Sequence, residues 1–145
     1  LATVMAGALW MSAGRGSESR MSAPQQADWI AACSWIRSHT KEDVLIHTPR
    51  QAWAFKWFAS RSEYVSLKDC PQDAQGILEW NNRLNGIRNW AESHYGDGVF
   101  SRQETERLHA ETGITHLLVR RLGPFEVQPE FANATFRLYR IAPAR

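Results

Sequence analysis

The chain has 145 residues, enough for one domain with a single buried core. Hydrophobic residues make up 43% of it, which excludes wholesale disorder. The net charge is only +2 and the Lys and Arg residues are scattered, so the clustered basic stripe of a nucleic-acid binder is missing and no nucleic-acid partner is expected.

Residues 1–11, LATVMAGALWM, are apolar, and a polar Gly/Ser/Arg stretch starts at Ser12. The run is shorter than the roughly 20 residues that cross a bilayer, and no basic region precedes it as in a secretory signal. It reads as the last part of a transmembrane helix followed by a juxtamembrane linker. On that reading residues 1–24 are the end of a span plus linker, and residues 25–145 are a single α/β domain. A short helix docked on the domain and a cloning remnant are the other two readings of the same run.

From Gln25 to Ser38 the spacing of Ala27, Ile30, Ala31, Ser34 and Trp35 predicts an amphipathic helix, with Pro24 at its start. Val44–Thr48 is an apolar, β-branched strand stopped by Pro49, and its continuous apolar character suits a strand covered on both faces. A second helix, about Arg50–Ala59, is apolar nearly all round and should be well buried. The second strand is Glu63–Leu67. A long helix then runs from Asp73, a plausible N-cap, to Ser93, with Ile77, Trp80, Leu84, Ile87 and Ala91 as its inner stripe.

After a loop at Tyr95-Gly96-Asp97-Gly98, Ser101 and Glu104 form a capping box, and the helix they open ends at Thr112-Gly113. Thr115–Arg120 is the third strand, and Gly123-Pro124 leads on to Phe125-Glu126-Val127. Thr135–Ile141 alternates apolar with polar, as a half-exposed edge strand should. Helices alternating with strands imply parallel βαβ units. The expected fold is therefore α/β, a three-layer sandwich around a mostly parallel sheet of about four strands in order 2-1-3-4, the last antiparallel and at the edge.

Seven tryptophans fall mostly on these helices, where core or interface is their ordinary place. Cys33 lies on an apolar helix face and Cys70 in a turn after a strand; their spacing matches no metal motif. The five histidines form no i, i+4 pair, and no glycine-rich phosphate loop, GxSxG, HExxH or CxxC is present. No metal, no cofactor and no catalytic residue is therefore singled out. Asn133-Ala134-Thr135 matches the glycosylation acceptor pattern, a match common by chance.

What chemistry the sequence does suggest sits just past the strands. In an open α/β sheet, ligands bind at the carboxyl ends of the strands. Thr48 after the first strand, and Lys68 and Asp69 after the second, could face one crevice, joined by Arg83 if its helix turns that way. Such a set could hold an anion or a sugar hydroxyl, or do acid/base work. Against this, Asp69 could simply cap the turn before Pro71 while Lys68 is solvated, and Glu79–Arg83 is an ordinary i, i+4 helix pair. Arg61 should lie at the opposite end of the sheet.

The order Asp28-Trp29, Cys33-xx-Ile36-Arg37, Thr40, Thr48-Pro49, Phe55-Lys56-Trp57, Arg61, Lys68-Asp69-x-Pro71, Glu79-Trp80-xx-Arg83 and Phe136-Arg137-Leu138-Tyr139 resembles a known pattern. It is similar to the C-terminal soluble domain of bacterial multi-spanning membrane proteins, polytopic glycosyltransferases that use lipid-linked sugar donors, and their relatives. The resemblance covers about residues 27–141, and His39 departs from it, standing where that family tends to have Asn or Asp. It implies a non-catalytic domain on the extracytoplasmic side of the cell membrane, with catalysis elsewhere in the parent protein. The implied partners are the rest of that protein and a glycan or lipid-linked sugar. A stand-alone small enzyme using Lys68, Asp69 and Arg83, and a protein-interaction module docking through its tryptophans, are the competing readings.

Overall fold

The computed structural model describes residues 21–49, 54–93 and 97–143. The apolar run and linker over residues 1–20, the start of the second helix at Arg50, Trp10, Trp53 and the Tyr95-Gly96 part of the loop lie outside the described residues.

Helix α1 is Ala23–His39. Ser22 caps it: its hydroxyl accepts from the Gln25 N–H while the Gln25 side chain accepts from the Ser22 N–H. Strand β1 is Leu45–His47, helix α2 Phe55–Ala59, and strand β2 Ser62–Glu63. Helix α3 is Ala74–Ser93 and helix α4 Arg102–Thr112, followed by strands β3, His116–Val119, β4, Phe131–Ala132, and β5, Arg137–Arg140. The Ser101/Glu104 capping box and the left-handed Gly113 at the end of α4 are both present, and Asp73 accepts from the Gly76 N–H at 2.7 Å as the expected cap of α3.

The five strands pair in the order β2-β1-β3-β5-β4. The two β1 pairings are parallel; β5 pairs antiparallel with both β3 and β4. The fold is thus α/β around a mixed sheet. The last strand is corrected from edge to interior. After Phe131–Ala132 the chain reverses at Asn133, whose side-chain oxygen accepts from the N–H groups of Thr135 and Phe136, and β4 takes the edge. With a neighbour on each side, β5 buries Leu138 on one face and Tyr139 on the other rather than alternating core with solvent.

Two cores lie on opposite faces of the sheet. On one, Trp29, Cys33 and Ile36 of α1 and Phe55 and Ala59 of α2 pack on Ile46, Leu118 and Leu138. On the other, Leu108 of α4 and the stacked rings of Phe100 and Phe125 cover Leu117, Val119 and Tyr139. The second cover is thinner than a full sandwich layer. Helix α3 has no buried residue and offers this core only the partly buried Ile87 and Trp90. Its expected inner stripe is therefore a half-buried one, with Ile77 at its outer end exposed.

Two further expectations fail locally. Helix α2 is not buried all round, since Phe58 is exposed and Trp57 is 86% exposed. The reason is its length: five residues bury one side of one turn and leave the other free. Among the described tryptophans only Trp29 is fully buried. No helix of the described residues is long and apolar enough to cross a membrane.

Candidate functional site

Strand β2 ends at Glu63 rather than at Leu67, and this early ending creates a crevice. The Tyr64 N–H makes the last ladder bond, to the Ile46 carbonyl at 2.9 Å. Beyond it, α3 supplies the partners that a further strand would have supplied. The Trp80 indole N–H donates to the Ser66 carbonyl at 2.7 Å, and Arg83 donates to the Tyr64 carbonyl at 3.2 Å. The chain at Tyr64–Ser66 is thereby bent away from the sheet and tied to α3. Between this bend, α2 and the first turns of α3 lies a cavity of about 300 Å³ lined by Lys56, Glu63, Tyr64, Asp69, Trp80 and Arg83, among others.

Of the four residues singled out from the sequence, Asp69 and Arg83 line this crevice. Asp69 pairs with the Lys56 ammonium at 2.5 Å. The Arg83 guanidinium pairs with Glu79 and stands 5.3 Å over the Tyr64 ring. Lys68 does not line the crevice: β2 stops short of it, so the residue falls past the bend, and Lys56 from α2 stands as the lysine of the site. Thr48 is buried and contributes indirectly, by donating its hydroxyl hydrogen to Glu63. Arg61 lies at the opposite end of the sheet as expected, where its guanidinium donates to the carbonyls of Arg37 and Thr40 at the end of α1.

Glu63, Tyr64 and Lys56 also line the crevice, and the sequence pattern does not mark them as site residues. Lys56 is at i−1 of the exposed Trp57 on a helix expected to be well buried, and Glu63 opens the expected strand Glu63–Leu67, whereas it closes the observed one. Burial pushes the Glu63 carboxyl above its ordinary range; the Thr48 hydrogen bond and the Lys56 charge pull it down, and the Asp69 charge adds to the rise. Burial likewise raises the Tyr64 hydroxyl, with Arg83 opposing. The result is a small polar crevice with two rings, three carboxylates and two cations, most of them already paired. Such a lining offers many hydrogen-bonding groups at low net charge, which suits a neutral polyhydroxyl ligand better than a free ion. Among the described residues no three His, Cys, Asp or Glu side chains come together to hold a metal ion.

Cys33 is buried on α1 and Cys70 is exposed, both as free thiols; burial, with the Glu63 charge adding to it, pushes the Cys33 thiol up to about 12. Such a thiol is inert at neutral pH. The Asn133 side-chain nitrogen donates to the Asp28 carbonyl and the Thr135 hydroxyl to the Asp28 carboxylate, so the acceptor-like triplet is a turn that ties β4 to α1.

A family model described as a domain of unknown function, DUF6798, matches residues 27–87. That span runs from α1 into α3 and contains every residue that lines the crevice. No curated protein and no solved structure matches the chain.

Proposed function

We propose that residues 25–145 form an extracytoplasmic, non-catalytic domain of a multi-spanning membrane protein, and that the crevice beside β2 binds the sugar part of a glycan or lipid-linked sugar. The observation that carries the binding reading is the lining itself. Trp80 and Tyr64 provide apolar ring surface of the kind that covers the C–H face of a pyranose. Glu63, Asp69 and Glu79 accept from hydroxyls and Lys56 and Arg83 donate to them. The membrane reading is supported by the resemblance of the quoted residues and by the apolar run of residues 1–11.

Glu63 favours a second reading. A carboxyl whose burial favours its protonated form, beside a Lys–Asp pair, is a candidate general acid, as a small hydrolase or transferase would require.

The test is a titration of the protein with neutral hexoses, oligosaccharides and a short-chain polyprenyl-phosphate sugar, read by the Trp80 indole and Arg83 side-chain NMR signals. Binding in the crevice moves both, and Trp80→Ala weakens it at least about tenfold. Trp57→Ala, outside the crevice, leaves it unchanged. A panel that leaves both signals in place overturns the sugar reading. Turnover of a bound sugar, abolished by Glu63→Gln, replaces it with the enzymatic one. The reading frame upstream of Leu1 tests the membrane reading: hydrophobic spans of about 20 residues each support it and their absence ends it.

A further inference from the structure

A second cavity, of about 420 Å³, opens at the other end of the sheet, beside the amino ends of β1 and β3. Its lining gathers charged and titratable groups from every element that meets there: His39 from α1, Lys41 and Asp43 before β1, His109 from α4, His116 from β3, Glu130 before β4 and Arg140 from β5. No motif joins these residues in sequence; the parallel β1–β3 pair and the antiparallel β3–β5 pair bring them together, the latter setting His116 opposite Arg140.

Each imidazole meets a protein oxygen through Nδ1. Nδ1 of His39 lies 3.0 Å from the Trp35 carbonyl and Nδ1 of His109 lies 2.8 Å from the Ile114 carbonyl. A carbonyl only accepts, so the His109 ring carries hydrogen on Nδ1 and keeps Nε2 as its second nitrogen; His39 Nδ1 also lies 2.8 Å from the Ser38 hydroxyl, which can donate to it. For His116 the partner is the Thr115 hydroxyl, 2.9 Å from Nδ1. That hydroxyl spends its one hydrogen on the Leu45 carbonyl at 3.0 Å, so it accepts from His116, whose Nδ1 is therefore protonated as well. His116 is 5% exposed, and its Nε2 faces the Glu130 carboxylate at 3.4 Å. A proton on Nε2 makes the ring a cation that donates.

With His116 neutral, Lys41 and Arg140 balance Asp43 and Glu130. Apart from a long bond from Arg140 to the Pro143 carbonyl, neither cation has a partner among the described residues. Protonation of His116 turns the cavity cationic. The groups are spread around a space much larger than an ion, and no three of the His, Cys, Asp or Glu side chains among the described residues meet as metal ligands would. The ligand such a wall suits is polyatomic and anionic.

We propose that this cavity is a second binding site, taking the oxyanion group, phosphate or carboxylate, of a small polar molecule, with Arg140 and Lys41 as its standing cations and His116 as a proton-gated donor. Glu130 competes with the ligand for the His116 Nε2 proton. Burial holds the His116 ring below its ordinary titration range, Glu130 pulls it up, and Arg140 pushes it down, so binding of an anion beside the ring raises its titration midpoint. The site shares no residue with the crevice beside β2 and does not depend on how that crevice is read.

The experiment titrates the protein with sulfate, whose charge is constant across the range, and with glucuronate, at about pH 5.5 and about pH 7.5, reading the His116 ring signals by NMR. At least one probe is expected to bind about tenfold tighter at the lower pH and to raise the His116 midpoint. Arg140→Gln, an exposed position that leaves folding intact, weakens it about tenfold; Glu130→Gln strengthens it; His116→Gln removes most of the pH dependence. Preference for sulfate assigns a phosphate-like ligand and preference for glucuronate a carboxylate. Failure of both probes to bind, equal affinity at the two pH values, or binding indifferent to Arg140→Gln overturns the proposal, and the Arg140 result stands even where the buried His116 variant does not fold.

Discussion

The Thr48 hydroxyl donates to the Glu63 carboxylate across the carboxyl ends of β1 and β2, joining a buried residue on one strand to the crevice wall on the next. The bond lowers the cost of keeping this carboxylate charged, yet burial still leaves Glu63 above its ordinary range. A folded-state pKa above the unfolded one contributes stability that is full below the unfolded value and is lost as pH rises through the folded value. Glu63→Gln keeps the acceptor oxygen for Thr48 and removes the charge. The variant is therefore expected to be more stable than the parent at neutral pH, with the gap closing as pH falls through the ordinary carboxylate range. Urea unfolding at several pH values checks this, and a variant less stable at pH 7 contradicts it.

Two glycines of α3 behave oppositely under the same substitution. A Cβ at Gly76 would stand 2.7 Å from the Pro71 Cβ and 2.6 Å from the Asp73 carboxylate that caps the helix. A Cβ at Gly86 would meet nothing within 4 Å. Helix propensity alone favours Ala at both positions by about 1 kcal/mol. Gly86→Ala is expected to deliver that gain. Gly76→Ala is expected to lose about 1–3 kcal/mol instead, through overpacking against Pro71 and a displaced cap. Thermal unfolding of the two variants separates close approach from propensity; a stabilised Gly76→Ala contradicts the packing.

The sequence carried the α/β class, the parallel core and the helices α1 and α4 because those depend on local spacing and on Pro24, Ser101, Glu104 and Gly113, whose roles are set within one turn; the Ser22 cap of α1 emerges only from the structure. Asp69 is legible as a crevice residue because it follows a strand; Arg83, on helix α3, reaches the crevice only through the turn of its helix, which the sequence leaves open. What was hidden depends on long-range partners. The end of β2 is decided by Trp80 and Arg83 taking its carbonyls, from 14 and 19 residues away. The interior place of β5 is decided by a two-residue strand too short to leave a pattern. The histidine-lined cavity has no sequence signal at all, because His39, His109 and His116 come from two helices and a strand that only the tertiary fold brings together.

Helix α2 is bounded by two residues in left-handed backbone, Ala54 at φ 68° and Ser60 at φ 52°. An L-residue held there costs roughly 1–2 kcal/mol, which glycine avoids at the expense of some extra unfolded-state entropy. Ser60 is exposed, and its described hydrogen bonds run through its backbone. Ser60→Gly is therefore expected to raise stability by about 0.5–1 kcal/mol. Chemical denaturation measures it, and a destabilised variant would show that the hydroxyl has a role the backbone does not explain.

His47 sets the acid limit of the fold. Its ring Nδ1 is buried without a hydrogen-bond partner among the described residues, and burial holds the imidazole down at about 4 from an ordinary 6.5. The unfolded chain therefore takes the proton first. Stability is full above about pH 6.5, falls as pH drops between 6.5 and about 4, and loses nothing further from this group below that. The shift corresponds to roughly 3 kcal/mol, enough to dominate the acid limb of a domain whose whole stability is about 5–15 kcal/mol. His47→Leu keeps an apolar side chain of similar size against Leu117, its β3 neighbour, and has no proton to bind. Its stability is expected to fall less steeply from pH 6.5 to 4.5 than the parent's, with the carboxylates and the buried His116 supplying what slope remains. Parallel denaturation curves for the two proteins at pH 7, 6 and 5 decide it, since equal slopes would place the acid sensitivity on another group.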